Sequence, residues 1–170
     1  MKEPKVYEVS FTVVVWEEDV AEQAEVLGEQ EKELDTAFVK RVVDADTIEV
    51  VLNGNTVDVR LLLVDAPETV HPDLPVEAFG AEAVVFAKQL LTGKQVQLEY
   101  DGPKYDDYGR LLAYVWINGR MFNELLLEKG LAHVAYVYHP PYRYYGRYVL
   151  AQQRAEVGRK GIWAVKGSGD

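Results

Sequence analysis

The sequence predicts a β-rich α+β fold: a five-stranded barrel with about three helices, preceded by an N-terminal strand–helix extension. Three observations predict this fold. Short runs rich in β-branched residues follow one another from residue 37 and are separated by tight turns. A helical apolar pattern interrupts them after the third run, and further amphipathic helical patterns follow the last strand. We therefore expect an extension at 1–35, a barrel domain at 36–165 and a disordered tail at 166–170.

The extension combines an alternating segment with an acidic one. Apolar and polar residues alternate over 7–15, which is the period of a half-buried strand. Residues 17–34 have a helical pattern with few apolar positions and many glutamates. Such a helix either keeps the protein in solution or regulates it, for example by covering a basic groove or by dimerisation. The residues leave both roles open.

The barrel domain begins with a meander of three strands. Asn53-Gly54 joins the second strand to the third, because this dipeptide favours the mirror-image turn of two-residue hairpins. The order of elements is compatible with an OB-type barrel. The predicted strands are 37–43, 47–53, 56–64, 95–100 and 110–117, and the predicted helices are 79–91, 122–130 and a final one ending near Gly158.

Composition and charge restrict the sites that this chain can build. It has no cysteine, and its three histidines, His71, His133 and His139, show no metal-ligand spacing and receive no role. Oxygen ligands remain, and they favour a hard divalent cation. The net charge of -10 comes mostly from residues 1–36, which hold 11 acidic and 3 basic side chains. The remainder still lacks the basic excess typical of nucleic-acid binders. The apolar strip at 6–16 is too short to span a membrane.

Two acidic clusters flank the meander. Asp44 and Asp46 lie at the turn before the second strand, and Asp65 follows the third strand. These positions fall at the same end of an antiparallel sheet, so Asp46 and Asp65 can approach each other. For Asp44 we favour an Asx turn. Asp46 and Asp65 either make such turns or bind Ca²⁺ together with the carbonyl of Ala66.

Two arginines precede apolar runs in different strands. The predicted third strand continues through Val64, so alternation puts Arg60 and Asp65 on opposite faces. Arg60 then either pairs with a carboxylate, such as Glu68, or binds a phosphate through its planar fork. Arg110 follows a Tyr-Gly turn in a similar position, so the two arginines suggest one shared anion.

We expect three tyrosines, Tyr108, Tyr136 and Tyr138, to supply aromatic faces near these arginines. Their rings suit stacking on bases, and their hydroxyls suit hydrogen bonds to phosphate. Simple packing against the barrel is the competing interpretation for each of them.

The chain resembles the staphylococcal nuclease (thermonuclease) family in five segments that keep the family's order and approximate spacing: VDADT, VRLLLVDAPE, DDYGRLLAYV, NELLLEKGLAHVAYVY and GIW. The resemblance covers about Thr36 to Ala164. It implies an OB-fold nuclease that uses Ca²⁺ to hydrolyse DNA and RNA and leaves 3′-phosphate ends.

The resemblance also implies a role for each matching residue. The calcium ligands would be Asp46, Asp65 and the carbonyl of Ala66. Glu68 would position or deprotonate the attacking water. Phosphate clamping would fall to Arg60 and Arg110, and nucleotide contacts to Tyr108, Tyr136 and Tyr138.

Departures from the family pattern leave a second function open. Asp107 stands where the family often has a lysine, so we expect weaker and less salt-dependent substrate binding. The alternative is a catalytically weak or inactive OB module that binds nucleic acid or protein. We expect a monomer, with dimerisation through the N-terminal strand as an option, no membrane association, and a secreted or cell-surface location.

Overall fold

The computed structural model divides the chain into two compact units, Met1–Glu33 and Leu34–Asp170. The residues it describes are 5–8, 12–15, 34–69 and 78–164.

The first unit contains two short strands, β1 (Lys5–Glu8) and β2 (Thr12–Val15), which pair antiparallel with Lys5 opposite Val15. The prediction of one strand over 7–15 is therefore wrong, because alternation alone does not reveal where a chain reverses. The predicted acidic helix lies outside the described residues, apart from Leu34, which begins a strand of the second unit.

The second unit is a closed five-stranded barrel of the OB type, as the sequence predicted. Four antiparallel pairings order its strands β5-β4-β3-β7-β8, and a parallel pairing between β5 and β8 closes it. The barrel strands are β3 (Leu34–Asp44), β4 (Thr47–Leu52), β5 (Asn55–Leu61), β7 (Gln95–Glu99) and β8 (Leu111–Ile117). Three two-residue strands accompany them, β6 (Val64–Asp65), β9 (Arg120–Met121) and β10 (His133–Val134).

Three α-helices belong to the described part of this unit. Helix α1 (Gly80–Leu91) is inserted between the third and fourth barrel strands, and α2 (Phe122–Glu128) and α3 (Tyr145–Val157) follow the barrel. A 3₁₀ turn, Gly161–Trp163, comes after α3. None of these described helices has the length and apolar character needed to cross a bilayer.

The hairpin turns follow from their residues. Asn53 and Gly54 have φ angles of 51° and 79°, as the two-residue mirror-image turn between β4 and β5 requires. Asn118 and Gly119 repeat this conformation between β8 and β9, with φ angles of 50° and 76°. The hairpin predicted at Asn53-Gly54 is confirmed.

The third barrel strand ends earlier than predicted. β5 stops at Leu61, and Leu63 adopts a left-handed conformation with φ of 64°, which is unusual for a leucine. The chain therefore turns at Leu62 and Leu63 before β6 begins. This turn changes which side chains meet at the end of the strand.

The barrel closure brings separate parts of the sequence to one place. In the parallel pairing of β5 with β8, Arg60 lies opposite Leu112, so the start of β8 lies beside the end of β5. The pairing of β6 with β10 sets Asp65 opposite His133. The loop that precedes β8 and the loop that follows β10 therefore lie near Arg60.

Candidate active site

A cavity of about 470 Å³ lies beside the end of β5. Its wall contains both predicted phosphate-binding arginines and all three predicted nucleotide-binding tyrosines. The wall includes Arg60, Tyr105, Asp106, Asp107, Tyr108, Arg110, Tyr136, Tyr138, His139 and Tyr142.

Arg60 is held rigidly at the inner wall of this cavity. Its residue exposure is 8%, and Nη1 donates hydrogen bonds to the carbonyl oxygens of Leu61 at 3.0 Å and Val64 at 2.8 Å. Nη2 lies 3.2 Å from Oδ1 of Asp65 and 3.3 Å from Oδ2 of Asp46. A guanidinium with this many partners is fixed in orientation, as a preorganised anion contact requires.

The turn after β5 brings Arg60 and Asp65 together. Alternation along an unbroken strand would have placed these two side chains on opposite faces, and that prediction is wrong. The carboxylate partners of Arg60 are Asp46 and Asp65, where the sequence had suggested Glu68. The two carboxylates contact the same guanidinium nitrogen and so lie close together. We expected this proximity because both residues fall at the same end of the sheet.

A buried asparagine that sequence reasoning missed holds this turn in place. Asn123 is 0% exposed, and its Nδ2 donates to the carbonyl of Leu62 at 3.0 Å. Its Oδ1 accepts a hydrogen bond from the backbone N–H of Val115 at 2.9 Å. The amide therefore ties the turn after β5 to β8. An asparagine in the first turn of an otherwise apolar helix face was the available signal.

Asp46 and Asp65 form the acidic side of the site. The backbone N–H of Ala66 donates to Oδ2 of Asp46 at 2.8 Å, and the hydroxyl of Thr47 donates to Oδ1 at 3.0 Å. Burial and the charge of Asp46 raise the pKa of Asp65, although Arg60 and His133 oppose this effect. An additional positive charge would therefore stabilise the ionised form of this carboxylate pair.

Asp44 is more than the simple turn residue that the sequence favoured. Its Oδ1 accepts the backbone N–H of the next residue, Ala45, at 3.0 Å, whereas an Asx turn would use the N–H two residues on, and it also accepts the hydroxyl of Thr69 at 3.0 Å. Burial, with smaller contributions from Asp46 and Glu68, raises the pKa of Asp44 to about 6. Asp44 is therefore a third acid beside the predicted pair.

Glu68 lies within electrostatic reach of this acidic cluster. It is half-buried, and its charge contributes to the raised pKa of Asp44. The backbone at Glu68 packs against the start of α1, where a Cβ on Gly80 would lie 3.4 Å from the Glu68 carbonyl oxygen. Close packing on α1 fixes the segment that carries this glutamate.

Arg110 reaches the same cavity from the start of β8. Its Nε donates to Oδ2 of Asp106 at 2.7 Å, and its backbone N–H donates to Oδ1 at 2.9 Å. The guanidinium also lies 5.4 Å from the centre of the Tyr108 ring, a cation–π distance. The predicted pairing of the two arginines around one space is thus present in the cavity wall.

The tyrosines supply exposed aromatic surface at this cavity. Tyr108 is 86% and Tyr138 is 72% exposed, while Tyr136 lies 5.8 Å from Tyr138 and 5.2 Å from the Arg60 guanidinium between ring or group centres. The strand register also places Nε2 of His133 3.9 Å from Oδ2 of Asp65. Sequence spacing had given this histidine no role, because the pairing of β6 with β10 is not visible in the sequence.

The acidic donors suit a hard cation. Asp46 and Asp65 offer carboxylate oxygens with spare lone pairs, and a cation would offset both the burial and the charge of Asp46 that raise the pKa of Asp65. Within residues 34–69 and 78–164 no group of three or more His, Cys, Asp or Glu side chains forms a ready-made metal site. A cation here would therefore need backbone carbonyls or water as further ligands.

Comparison with known proteins agrees with the fold. A family model described as staphylococcal nuclease homologue matches residues 58–165. Thermonuclease of Staphylococcus hyicus is 47% identical over 129 residues, which cover 76% of each chain. Endonuclease YncB of Bacillus subtilis is 42% identical over 141 residues, covering 82% of this chain and 67% of its own. Thermonuclease of Staphylococcus intermedius is 44% identical over 126 residues, or 74% of each chain.

These matches identify the class of protein that the barrel and its cavity had indicated. The chain belongs to the staphylococcal nuclease family. The resemblance read from the sequence is confirmed.

Proposed function

We propose that this protein is a calcium-dependent nuclease, a phosphodiesterase that hydrolyses DNA and RNA and leaves 3′-phosphate ends. One observation carries the proposal: a single cavity wall contains Arg60, Arg110 and exposed tyrosines, and Arg60 connects this wall to the Asp46–Asp65 pair. Relatives named thermonuclease and endonuclease support the same chemistry.

The two arginines would bind the scissile phosphate. Hydrolysis of a phosphodiester builds negative charge on the non-bridging oxygens and on the departing oxygen. Arg60 is already oriented by two backbone carbonyls and two carboxylates, so little reorganisation is needed when this charge appears. Arg110, held by Asp106, would approach the same group from the other strand.

Glu68 would position the attacking water or accept its proton. Its segment lies between the acidic pair and α1, and its charge already acts on the cluster through Asp44. A carboxylate that accepts a proton in the transition state typically contributes about 10²- to 10⁴-fold to the rate.

Asp46, Asp65 and the carbonyl of Ala66 would hold Ca²⁺. When bound, Ca²⁺ supplies positive charge that stabilises the phosphate oxygens in the transition state. Two further groups lie beside this acidic pair: Asp44, whose pKa the charge of Asp46 helps to raise, and His133, whose Nε2 is 3.9 Å from Oδ2 of Asp65. An extracellular or cell-surface location, where calcium is abundant, agrees with an oxygen site of modest affinity.

One observation favours a second candidate, a binding module with little catalysis. Arg110 is engaged by Asp106, and Asp107 adds a carboxylate to the same wall. Both features lower the positive charge that the wall offers to a nucleic-acid backbone. A module of this kind would bind strands without cleaving them.

Cleavage of a single-stranded oligonucleotide in Ca²⁺ or in a calcium chelator tests the proposal. The wild-type chain should cleave only with Ca²⁺ and release 3′-phosphate products, identified by mass spectrometry. Glu68→Gln should lower kcat by about 10²- to 10⁴-fold with unchanged oligonucleotide affinity. Glu82→Gln, an exposed glutamate on α1, is the matched control and should keep full activity. Binding without calcium-dependent cleavage by the wild type would favour the module instead.

A further inference from the structure

Tyr105 is a cavity residue distinct from Tyr108, Tyr136 and Tyr138, the three tyrosines expected to contact nucleotides. It lines the same wall as Arg60 and Arg110, and 58% of it is exposed. Large exposed rings in a cavity wall that binds a polymer are candidates for contact with that polymer. The ring therefore adds to the aromatic surface already provided by Tyr108, Tyr136 and Tyr138.

The backbone around Tyr105 is fixed although its ring is exposed. Tyr105 forms an isolated antiparallel bridge with Leu111, and the N–H of Leu112 donates to the carbonyl of Lys104 at 2.9 Å. The segment is thereby tied to the first residues of β8. A ring on a fixed backbone loses little conformational entropy when a ligand stacks on it.

Tyr142, another ring of the wall, shows what a packing tyrosine looks like here. It is half-buried, its hydroxyl accepts the N–H of His139 at 3.1 Å, and its ring lies 3.7 Å from the position of a Cβ on Gly102. Tyr142 therefore supports the loop that carries Tyr136 and Tyr138. The greater exposure of Tyr105 leaves its face accessible to a ligand.

The charges of the wall indicate what kind of contact Tyr105 makes. Arg110 is paired with Asp106, and Arg60 is compensated by two carboxylates. Asp107 contributes a further negative charge, while the ammonium of the neighbouring Lys104 lies 4.8 Å from the Tyr100 ring. With little net positive charge in this wall, binding energy for a strand has to come largely from neutral contacts such as base stacking.

We propose that Tyr105 stacks on an unpaired base next to the scissile phosphate, so that bases on a strand are held by Tyr105 as well as by Tyr136 and Tyr138. The inference rests on the proposed nuclease function. The ligand it implies is a nucleic-acid strand whose bases are free to leave the duplex stack.

Steady-state cleavage by Tyr105→Ala, Tyr105→Leu and Tyr105→Phe tests this role. Loss of the ring should raise KM by roughly 5- to 100-fold, the range expected for one base–aromatic stack, with kcat nearly unchanged. The phenylalanine variant should behave like the wild type, because stacking needs the ring and not the hydroxyl. The leucine variant keeps an apolar side chain on the wall, so it should lose affinity as alanine does while remaining folded.

A set of oligonucleotides with one abasic residue, moved along the strand, locates the contact. At the position stacked on Tyr105, the increases in log KM caused by the abasic change and by Tyr105→Ala should not add, since each change removes the same interaction. Tyr145→Ala is the matched control, because Tyr145 is 42% exposed on α3 and is absent from the cavity wall.

Two outcomes overturn the inference while leaving the nuclease proposal intact. In one, the wild type cleaves and KM is unchanged in the alanine and leucine variants. In the other, KM rises in these variants, but the increase in log KM adds fully to that of the abasic substitution at every position tested. Failure of the nuclease proposal is distinct, since the wild type itself would then not cleave.

Discussion

Two carboxylates in the barrel, Glu99 and Asp65, each pair with an arginine but differ in how fully their oxygens are used. Glu99, at the end of β7, is 1% exposed. Its Oε1 accepts the indole N–H of Trp116 at 3.2 Å and the hydroxyl of Tyr144 at 3.0 Å, and its Oε2 accepts Arg143 at 2.6 Å. Both oxygens of this acid therefore accept hydrogen bonds from protein donors.

Asp65 has a more open environment. Its side chain is 32% exposed, and Oδ1 accepts one hydrogen bond from Arg60 at 3.2 Å. Its Oδ2 faces His133 at 3.9 Å, which is beyond hydrogen-bond distance. Asp46 shares the same guanidinium, so two acids depend on one cation, and the pKa of Asp65 is raised by burial and by Asp46.

The difference separates an acid that holds the fold together from an acid that can take a ligand. Protein donors occupy both oxygens of Glu99, whereas Asp46 and Asp65 share one guanidinium and Oδ2 of Asp65 lies beyond hydrogen-bond distance of His133. Burial alone would have ranked Glu99 first as a candidate functional group. The number of donors on each oxygen, and the exposure that remains, give the better criterion.

Arg60→Lys should produce the largest effect in this comparison. A lysine ammonium cannot contact both carboxylates and two carbonyls in the planar geometry of the guanidinium. We expect kcat for oligonucleotide cleavage to fall roughly 10²- to 10³-fold, the cost of losing one preorganised charge contact. Arg143→Lys, the same change beside Glu99, is the matched control and should leave kcat nearly unchanged. Equal losses in both variants would show that the two arginines do not differ in role.

Glu99→Gln should have an intermediate effect, on stability and not on chemistry. The amide would place an N–H₂ group against the guanidinium of Arg143, or against the Trp116 and Tyr144 donors, and so lose at least one charged hydrogen bond. We expect the free energy of unfolding in urea to fall by about 2 kcal/mol. Activity measured well below the unfolding transition should be retained. A loss of kcat larger than that of Arg60→Lys would contradict the division between the two carboxylates.

The smallest effect concerns Asp106, which holds Arg110 at the cavity. Burial would raise the pKa of Asp106, but hydrogen bonds from Arg110 and from the backbone of Tyr108 outweigh it, so the pKa is lowered below 3.8. A carboxyl with a lowered folded-state pKa stabilises the protein above its unfolded-state pKa and loses this contribution as pH falls through the folded-state value.

Asp106→Asn should therefore cost about 1 kcal/mol of unfolding free energy near neutral pH, and the cost should shrink as pH falls below 3.8. Urea unfolding of both proteins across this pH range measures the difference. A cost that stays constant into strong acid would mean that the charge of Asp106 contributes nothing. In that case the shape of the side chain alone would hold Arg110.

Local pattern predicted most of the barrel because its information lies in neighbouring residues. The Asn53-Gly54 turn and the β-branched runs each act over a few positions, and the five strands and three helices appear where the pattern predicts them, apart from the early end of β5. The N-terminal segment shows the limit of such patterns. Alternation over 7–15 is compatible with one strand or with two, and the structure has two.

The candidate site was predicted in part. The convergence of Arg60, Arg110 and the tyrosines on one cavity follows from motifs that the sequence already showed. The contacts of Asn123 and His133 could not be predicted from those motifs, because each residue contacts a distant segment: Asn123 contacts the turn after β5, and His133 pairs with β6. Tyr105 was missed for a different reason, since an exposed ring on a loop has no periodic signature.

The sequence by itself determined the order of strands and helices and the chemical types available near the cavity, because both depend on residues close together along the chain. Only the tertiary structure decided that Arg60 meets Asp46 and Asp65. That meeting requires Leu63 to adopt a left-handed conformation, which a leucine avoids unless its surroundings impose it. Two hydrogen bonds provide those surroundings: the side chain of Asn123 donates to the carbonyl of Leu62, and the N–H of Ala135 donates to the carbonyl of Leu63. Both donors lie more than sixty positions further along the chain.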